Sequence, residues 1–371
     1  MLKLCFGRFG VDMAKQRIIG IDVARALAVI GMIIVNFKVV FGDQGTGWIK
    51  SIASVFDGKA AATFVFLAGV GLALMTNSAI RNNDMDRLKT AQKRIAKRAL
   101  FLFVVGISYI VIWPADILHF YGIYMVVVLL LLTLSQRMIL VATGSFVLLF
   151  PVLMLLWNYE AGWDFNTLEY LDFWTVEGFM RNLFFNGFHP VIPWTAFMLF
   201  GYWFGKQDLH NDTFVKRAFW IGAVAFVSIQ ILSLLSVSLL SGGDAMTAQE
   251  LSEILGTNPM PPLPAYMLNG MAVACTVVSA CIILAKRFPD STVVDAFNKT
   301  GQLALTFYVA HVIVGMGAIE VIRPNQMGSF SIVFSVLYAL VFSFLCILFA
   351  IVWRKFWKSG PLEWIMRKVT N

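Results

Sequence analysis

Asp22 and Arg25 stand three residues apart at the foot of an apolar run, Ala26 to Val35, that closes on a lone amide at Asn36. On a helix this spacing puts acid and base on one face, where they neutralise each other as an ion pair. Asn36 follows about three turns further along. Polar groups inside a membrane-length segment are costly and mark functional interiors. An ion pair that only sets the depth of the helix would use the same letters.

A second constellation is Trp113-Pro-Ala-Asp116-Ile-Leu-His119-Phe-Tyr121-Gly122. A carboxylate three residues before an imidazole can fix the ring tautomer and raise its basicity, as a general base requires. An Asp helix cap beside a packed histidine gives the same pattern. His189, in His189-Pro-Val-Ile-Pro-Trp194, either faces a substrate with Trp194 or shapes a turn. His311 lies near mid-membrane and either bridges helices or does chemistry; His210 reads as solvated. Asp57 is a substrate-binding candidate or a helix cap, and Lys38 and Lys59 can snorkel to the interface. Arg94 and Arg98 belong to a basic cluster from Lys89 to Arg98, which is either a solvated face or a site for a phosphate-bearing donor. The four histidines have no metal-ligand spacing, and no P-loop, GxSxG or HExxH is present.

These residues need elements to position them. Apolar residues make up 59% of the chain and charged ones 13%, with a mean hydropathy of +0.78, against about a quarter charged in soluble domains. The composition excludes a soluble globular domain and predicts an all-α, polytopic transmembrane bundle. Apolar windows place about ten spans, at 21–41, 60–77, 98–113, 117–135, 138–157, 188–205, 217–240, 265–285, 301–322 and 330–353. The net charge of +8 is concentrated in alternate connections, so it reads as a positive-inside signal rather than a nucleic-acid surface. It sets both termini in the cytoplasm, as in a bacterial inner-membrane protein.

The chain reads as one transmembrane domain over 1–371, with a cytoplasmic arm 1–20 carrying Lys3, Arg8, Lys15 and Cys5, and a cytoplasmic tail 354–371. Long outer loops occupy 158–187 and 241–263. The first interleaves Glu160, Asp164, Glu169, Asp172 and Glu177 with aromatics, the pattern of an interfacial amphipathic helix or of a sugar-binding surface. Cys275, Cys281 and Cys346 fall in spans as buried thiols. Gly201-Tyr-Trp-Phe-Gly205 invites close helix packing. Asn36, Lys38, Asp57, Lys59, Asp116, His119, His189 and Glu320 fall at similar depth near the outer face, and the expectation is that Asn36 and His119 share one chamber.

Arg25 to Asn36, a basic residue, ten residues and a polar one, resembles the first span of the acyltransferase-3 membrane family, which uses Arg-x10-His. Asp22, Arg25 and Asn36 resemble more closely the heparan-alpha-glucosaminide N-acetyltransferase family, which has Asp-x-x-Arg-Gly and an Asn, although Ala26 replaces the Gly. Phe64-Val-Phe-Leu-Ala-Gly69-Val-Gly71 looks like that family's second span. Asp116 to Gly122, His189-Pro-Val-Ile-Pro193-Trp194 leading to Gly201, Gly301-Gln-Leu-Ala-Leu-Thr306-Phe-Tyr308 and Gly360-Pro-Leu-Glu363-Trp364 are similar to the related YeiB-like family, in family order.

The resemblance implies a membrane acyltransferase that takes an acyl group, acetyl above all, from cytoplasmic acyl-CoA and passes it to an extracytoplasmic sugar or lipid acceptor. No cofactor is expected to be tightly bound, and self-association is open. In that reading Arg25, Arg94 and Arg98 face the donor phosphates. Asn36 holds the carbonyl or the hydroxyl, His119 oriented by Asp116 is the base, and Asp57, His189 and Trp194 meet the acceptor. Heparan-type enzymes carry an outer histidine before span two, where this chain has Ala53, so His119, His189 or Asp57 would substitute. A transporter or lipid-binding protein on the same scaffold is the alternative.

Overall fold

The computed structural model describes residues 17–45, 47–165 and 167–370, so most of the basic arm, with Lys3, Cys5, Arg8 and Lys15, lies outside the described residues. The chain runs α1 (Ile19–Phe41), α2 (Trp48–Ser54), α3 (Lys59–Arg81), α4 (Met85–Tyr109), α5 (Leu118–Leu131) and α6 (Gln136–Leu156). A two-residue hairpin, β1 (Trp163–Asp164) and β2 (Glu169–Tyr170), leads to α7 (Val176–Arg181) and a π-helical turn at Asn182–Asn186. Then come α8 (Val191–Gly205), α9 (Asp212–Ser241), α10 (Ala245–Leu255), α11 (Pro264–Arg287) and α12 (Thr292–Gly301). The chain ends with α13 (Ala304–Ala310), a second π-helical turn (His311–Met316), α14 (Gly317–Ile322), α15 (Ile332–Phe356) and α16 (Pro361–Thr370).

Helix starts follow side-chain chemistry. Asp84, Ser135, Asn211, Asp244 and Ser331 each accept a backbone N–H from the first turn of the helix that follows. Helical segments lie in all ten apolar windows, and among the described residues seven segments, counting α2–α3 and α13–α14 as one each, are long and apolar enough to cross a membrane. Val176–Asn186 with Val191–Gly205, bent by 46°, makes an eighth. Helix α5 is shorter, at 14 residues, and the first half of α4 is the basic cluster Arg87–Arg98. Helix α4 stops at Tyr109, ahead of Pro114, which disfavours helix in the residue before it. That corner sets Trp113 and Asp116 against the bundle.

Helix α1 is central and packs on α3, α11, α12 and α15. The α3–α8 seam is tight. A Cβ on Gly69 would lie 1.9 Å from the Met198 carbonyl oxygen, and one on Gly201 1.9 Å from that of Phe66, so each backbone occupies the other's side-chain space. Gly205 abuts Val70 and Ala73, so both glycines of the Gly201–Gly205 motif are packing positions. Helix α9 buries only Val215, Ala218 and Gly222 and otherwise shows Leu, Ile and Val, as a helix facing lipid does. Cys275, Cys281 and Cys346 are buried free thiols.

The 158–187 segment is not one amphipathic helix. Its first half turns back as the β1–β2 hairpin, which the chain enters at Gly162 with φ +84°. Asn186 Nδ2 donates to the carbonyls of Tyr159 and Ala161, Trp163 Nε1 donates to the Asn186 carbonyl, and Arg181 pairs with Asp172. Local ion pairs and backbone bonds thus fold the charged and aromatic residues onto the bundle end. In the 241–263 segment, α10 lies along α9, held by Ser233 Oγ donating to the Leu255 carbonyl at 2.7 Å.

Gly201→Ala should lower the unfolding free energy in detergent by about 3 kcal/mol, the upper end for overpacking, because both clashing groups are backbone. Gly144→Ala, whose added Cβ meets nothing within 4 Å, should leave the unfolding midpoint in place.

Candidate functional site

Two cavities open from opposite ends of the bundle and approach each other at its middle. The basic-end cavity, about 390 Å³, is lined by Arg17, Arg25, Arg98 and Arg367, by Asp22 and Glu363, and by an apolar floor that includes Phe64, Leu118, Tyr121 and Met125. Asp22 accepts from Arg25 Nη1 and from Arg17 Nε, each at 2.7 Å, and is itself 2% exposed. The carboxylate is therefore shared by two guanidinium groups, leaving excess positive charge. The predicted Asp22–Arg25 pair is present, and Gly301 lets α12 close on the Asp22 backbone.

Arg98 has no carboxylate partner among the described residues: Nη1 lies 3.2 Å from the Met75 sulfur and Nε is buried without a partner. Arg94 is exposed and off the cavity wall, and Arg367 of α16 takes the place expected of it. Glu363 accepts from Leu305 N at 2.8 Å, Thr306 N at 3.1 Å and Thr306 Oγ1 at 2.5 Å, capping α13. Burial pushes its carboxyl above the usual range despite these bonds. The Gly360–Trp364 and Gly301–Tyr308 motifs are thus two halves of one joint.

The second cavity, about 230 Å³, is lined by Asn36, Trp113, His189, Trp194 and Tyr308 among apolar residues of α1, α3 and the loops. Gly58 shapes its rim with φ +67°, and its carbonyl accepts from Tyr266. Between the cavities lies an aromatic septum. Phe64 on the basic side stacks on Tyr308 at 6.3 Å and 17°, and Tyr121 flanks Phe64 at 5.9 Å.

A hydrogen-bonded chain runs behind the septum. Asp116 accepts from Tyr109 at 2.5 Å, from Tyr308 at 3.2 Å, and from both the peptide N–H and the Nδ1 of His119 at 3.1 Å. The helix-cap contact and the imidazole contact weighed for Asp116 therefore both exist. His311, at the start of the second π-helical turn, sets Nδ1 against the Tyr308 carbonyl. A carbonyl only accepts, so Nδ1 carries the proton and Nε2 accepts from Asn36 Nδ2 at 2.8 Å.

Asn36 and His119 do not share a chamber. Asn36 lines the second cavity, whereas His119 lines neither, being fully buried with its ring 3.9 Å from that of Phe120 and its Nε2 without a partner. Apolar packing between α4 and α5, where Gly106 admits the His119 backbone, seals the imidazole. Asp57 is also off the cavity wall, paired with Lys38 at 2.6 Å. Glu320 and Lys59 line neither cavity. Ala53 is buried in α2. Sequence reasoning placed His311 at mid-membrane but did not join it to Asn36, because no local spacing links residues 275 apart. No His/Cys/Asp/Glu group suited to a metal exists among the described residues.

Residues 17–240, with Asp22, Arg25, Asn36, His119, His189 and Trp194, match the family model described as heparan-alpha-glucosaminide N-acetyltransferase, catalytic. Residues 202–371, with His311 and Glu363, match one described as protein of unknown function (DUF418). YxaH of Bacillus subtilis strain 168, described as an uncharacterized protein, is 21% identical over 418 aligned positions, covering 96% of this chain and 95% of that one.

Asp116→Ala leaves two buried tyrosine hydroxyls and an imidazole without their acceptor, and should cost about 3 kcal/mol or more of stability. Asp116→Asn keeps an acceptor oxygen and should cost less. Chemical unfolding in detergent, with wild type alongside, reads both.

Proposed function

The chain belongs to the heparan-alpha-glucosaminide N-acetyltransferase catalytic family as a YeiB-like, multi-pass membrane protein of acetyltransferase type, and from that premise we propose that it carries an acyl group across the septum, from cytoplasmic acyl-CoA to an extracytoplasmic acceptor. The observation that carries the reading is the pair of opposed cavities meeting at one aromatic partition, one rich in guanidinium groups and the other lined by ring N–H groups and an amide.

Arg98 and Arg367, with the charge left over at Arg17 and Arg25, hold the donor phosphates by charge-assisted bonds. Arg25 and Asn36 are eleven residues apart on α1, about 16 Å along its axis. A phosphate held at the first thus lets an extended thioester arm reach toward the second. The acceptor nucleophile, a hydroxyl or an amine, attacks the thioester carbonyl; a bond from its oxygen or nitrogen to the carbonyl carbon forms, the C–S bond breaks, and the CoA thiolate takes up the proton that the nucleophile gives up.

His311 Nε2 is the proton acceptor in this scheme, reached only through Asn36, because the ring is itself fully buried and lines neither cavity. Its tautomer is held by the Tyr308 carbonyl, and the acceptor displaces the Asn36 amide from it. Asn36 then donates an N–H to the carbonyl oxygen as charge builds there. Asp116 and His119 act through Tyr308, fixing the partition. The positive-inside pattern supports placing the basic cavity in the cytoplasm and the protein in the inner membrane.

His311→Ala should lower acyl transfer by about 10²–10⁴-fold, the usual size of general-base catalysis, with acetyl-CoA binding unchanged. Arg98→Ala should weaken acetyl-CoA binding about tenfold. Both are read on protein in nanodiscs, with labelled acetyl-CoA and a membrane-envelope acceptor extract. Wild-type turnover in His311→Ala would move the base elsewhere. Movement of a solute or lipid with no acyl transfer would favour the carrier alternative.

A further inference from the structure

The second cavity has a chemical character that narrows what enters it. We infer that it is a binding site for an uncharged, hydroxyl-bearing acceptor, so that the product is an ester rather than an amide; this rests on the acyl-transfer reading above.

Three observations carry the inference. First, wall residues carry hydrogen-bonding nitrogens with no partner. Trp113 Nε1 and Trp194 Nε1 are sealed and unpaired on side chains 7% and 1% exposed, and His189 Nδ1 beside them is unpaired as well. An indole N–H only donates, so a group that comes to pair with either of them must bring an acceptor. The His189 and Trp194 rings meet edge to face at 4.6 Å, so these groups form one cluster.

Second, no Asp, Glu, Lys or Arg is among the lining residues. Among charges near by, Lys38 is closed on Asp57 at 2.6 Å and Asp116 lies behind the septum under its own donors, while Lys59, between wall residues Gly58 and Ala60, is itself off the wall. An ammonium or carboxylate brought into such walls loses its hydration without a counter-charge, whereas a hydroxyl does not. Third, the remaining walls are aromatic and aliphatic, including Phe56 and Phe188, and suit the C–H faces of a compact polyol.

A neutral amine would also fit by charge, but its nitrogen has a single lone pair. An indole N–H bonded to that pair occupies the electrons needed for attack on the thioester. A hydroxyl oxygen has two pairs and can accept from an indole while it attacks.

The test offers purified protein in nanodiscs labelled acetyl-CoA with methyl β-glucoside, glucosamine or glucuronate, and separates base-labile esters from base-stable amides by mass spectrometry. The expected result is an ester on the neutral glycoside. Trp113→Phe and Trp194→Phe, which keep a ring and lose only the N–H, should each raise the KM for the glycoside about tenfold, the size of one neutral hydrogen bond. The KM for acetyl-CoA should stay the same, which a general loss of folding would not permit. Preference for glucosamine with a stable amide, preference for glucuronate, or unchanged glycoside KM in both variants would overturn the inference and leave acyl transfer standing. Absence of transfer to all three would overturn the inference and the acyl-transfer reading together.

Discussion

One buried carboxylate holds the centre of this molecule in place. Hydrocarbon supplies no donors, so an ionised group at depth persists only where the protein surrounds it with them. Asp116 collects Tyr109 from α4, His119 from α5 and Tyr308 from α13, binding three helices whose chain positions span about two hundred residues. Tyr308 carries the constraint further. Its ring is half of the septum, and its carbonyl fixes the His311 tautomer and with it the direction of the Asn36 bond.

The septum explains why the two cavities can differ so much in charge. On the basic side four guanidinium groups face two carboxylates, whereas the other cavity has no charged residue among its described wall residues. If the two were open to each other, water and ions would equalise the environments; a stacked ring pair keeps them apart at little thickness. In the acyl transfer proposed above, the group that passes is small and uncharged, and such a partition favours it over a phosphate-bearing carrier. The π-helical turn at His311–Met316 belongs to the same design, since widening the helix there re-aims the imidazole that follows Tyr308.

Much of this was legible residue by residue. The Asp22–Arg25 pair follows from i,i+3 geometry, and Asp116 meets His119 for the same local reason. The Gly201–Gly205 packing face follows from the absence of side chains at one helical spacing. The apolar windows located helices because, in lipid, backbone polar groups bond within their own segment. The 158–187 segment misled for the converse reason: charges and aromatics at mixed spacing suit an amphipathic helix or a hairpin, and the bonds of Asn186 to Tyr159, Ala161 and Trp163 favour the hairpin.

By itself, then, the chain determined its class, the places of its apolar helices and its short-range pairs, because hydropathy and helical periodicity act between neighbours. Tertiary structure alone decided that Asn36 belongs with His311, that His119 is sealed away from both cavities, and that Arg367 rather than Arg94 completes the cationic wall. Those choices depend on which helix faces cross, and crossing is governed by close packing between residues far apart in sequence, as at Gly69 and Gly201, which local composition does not encode.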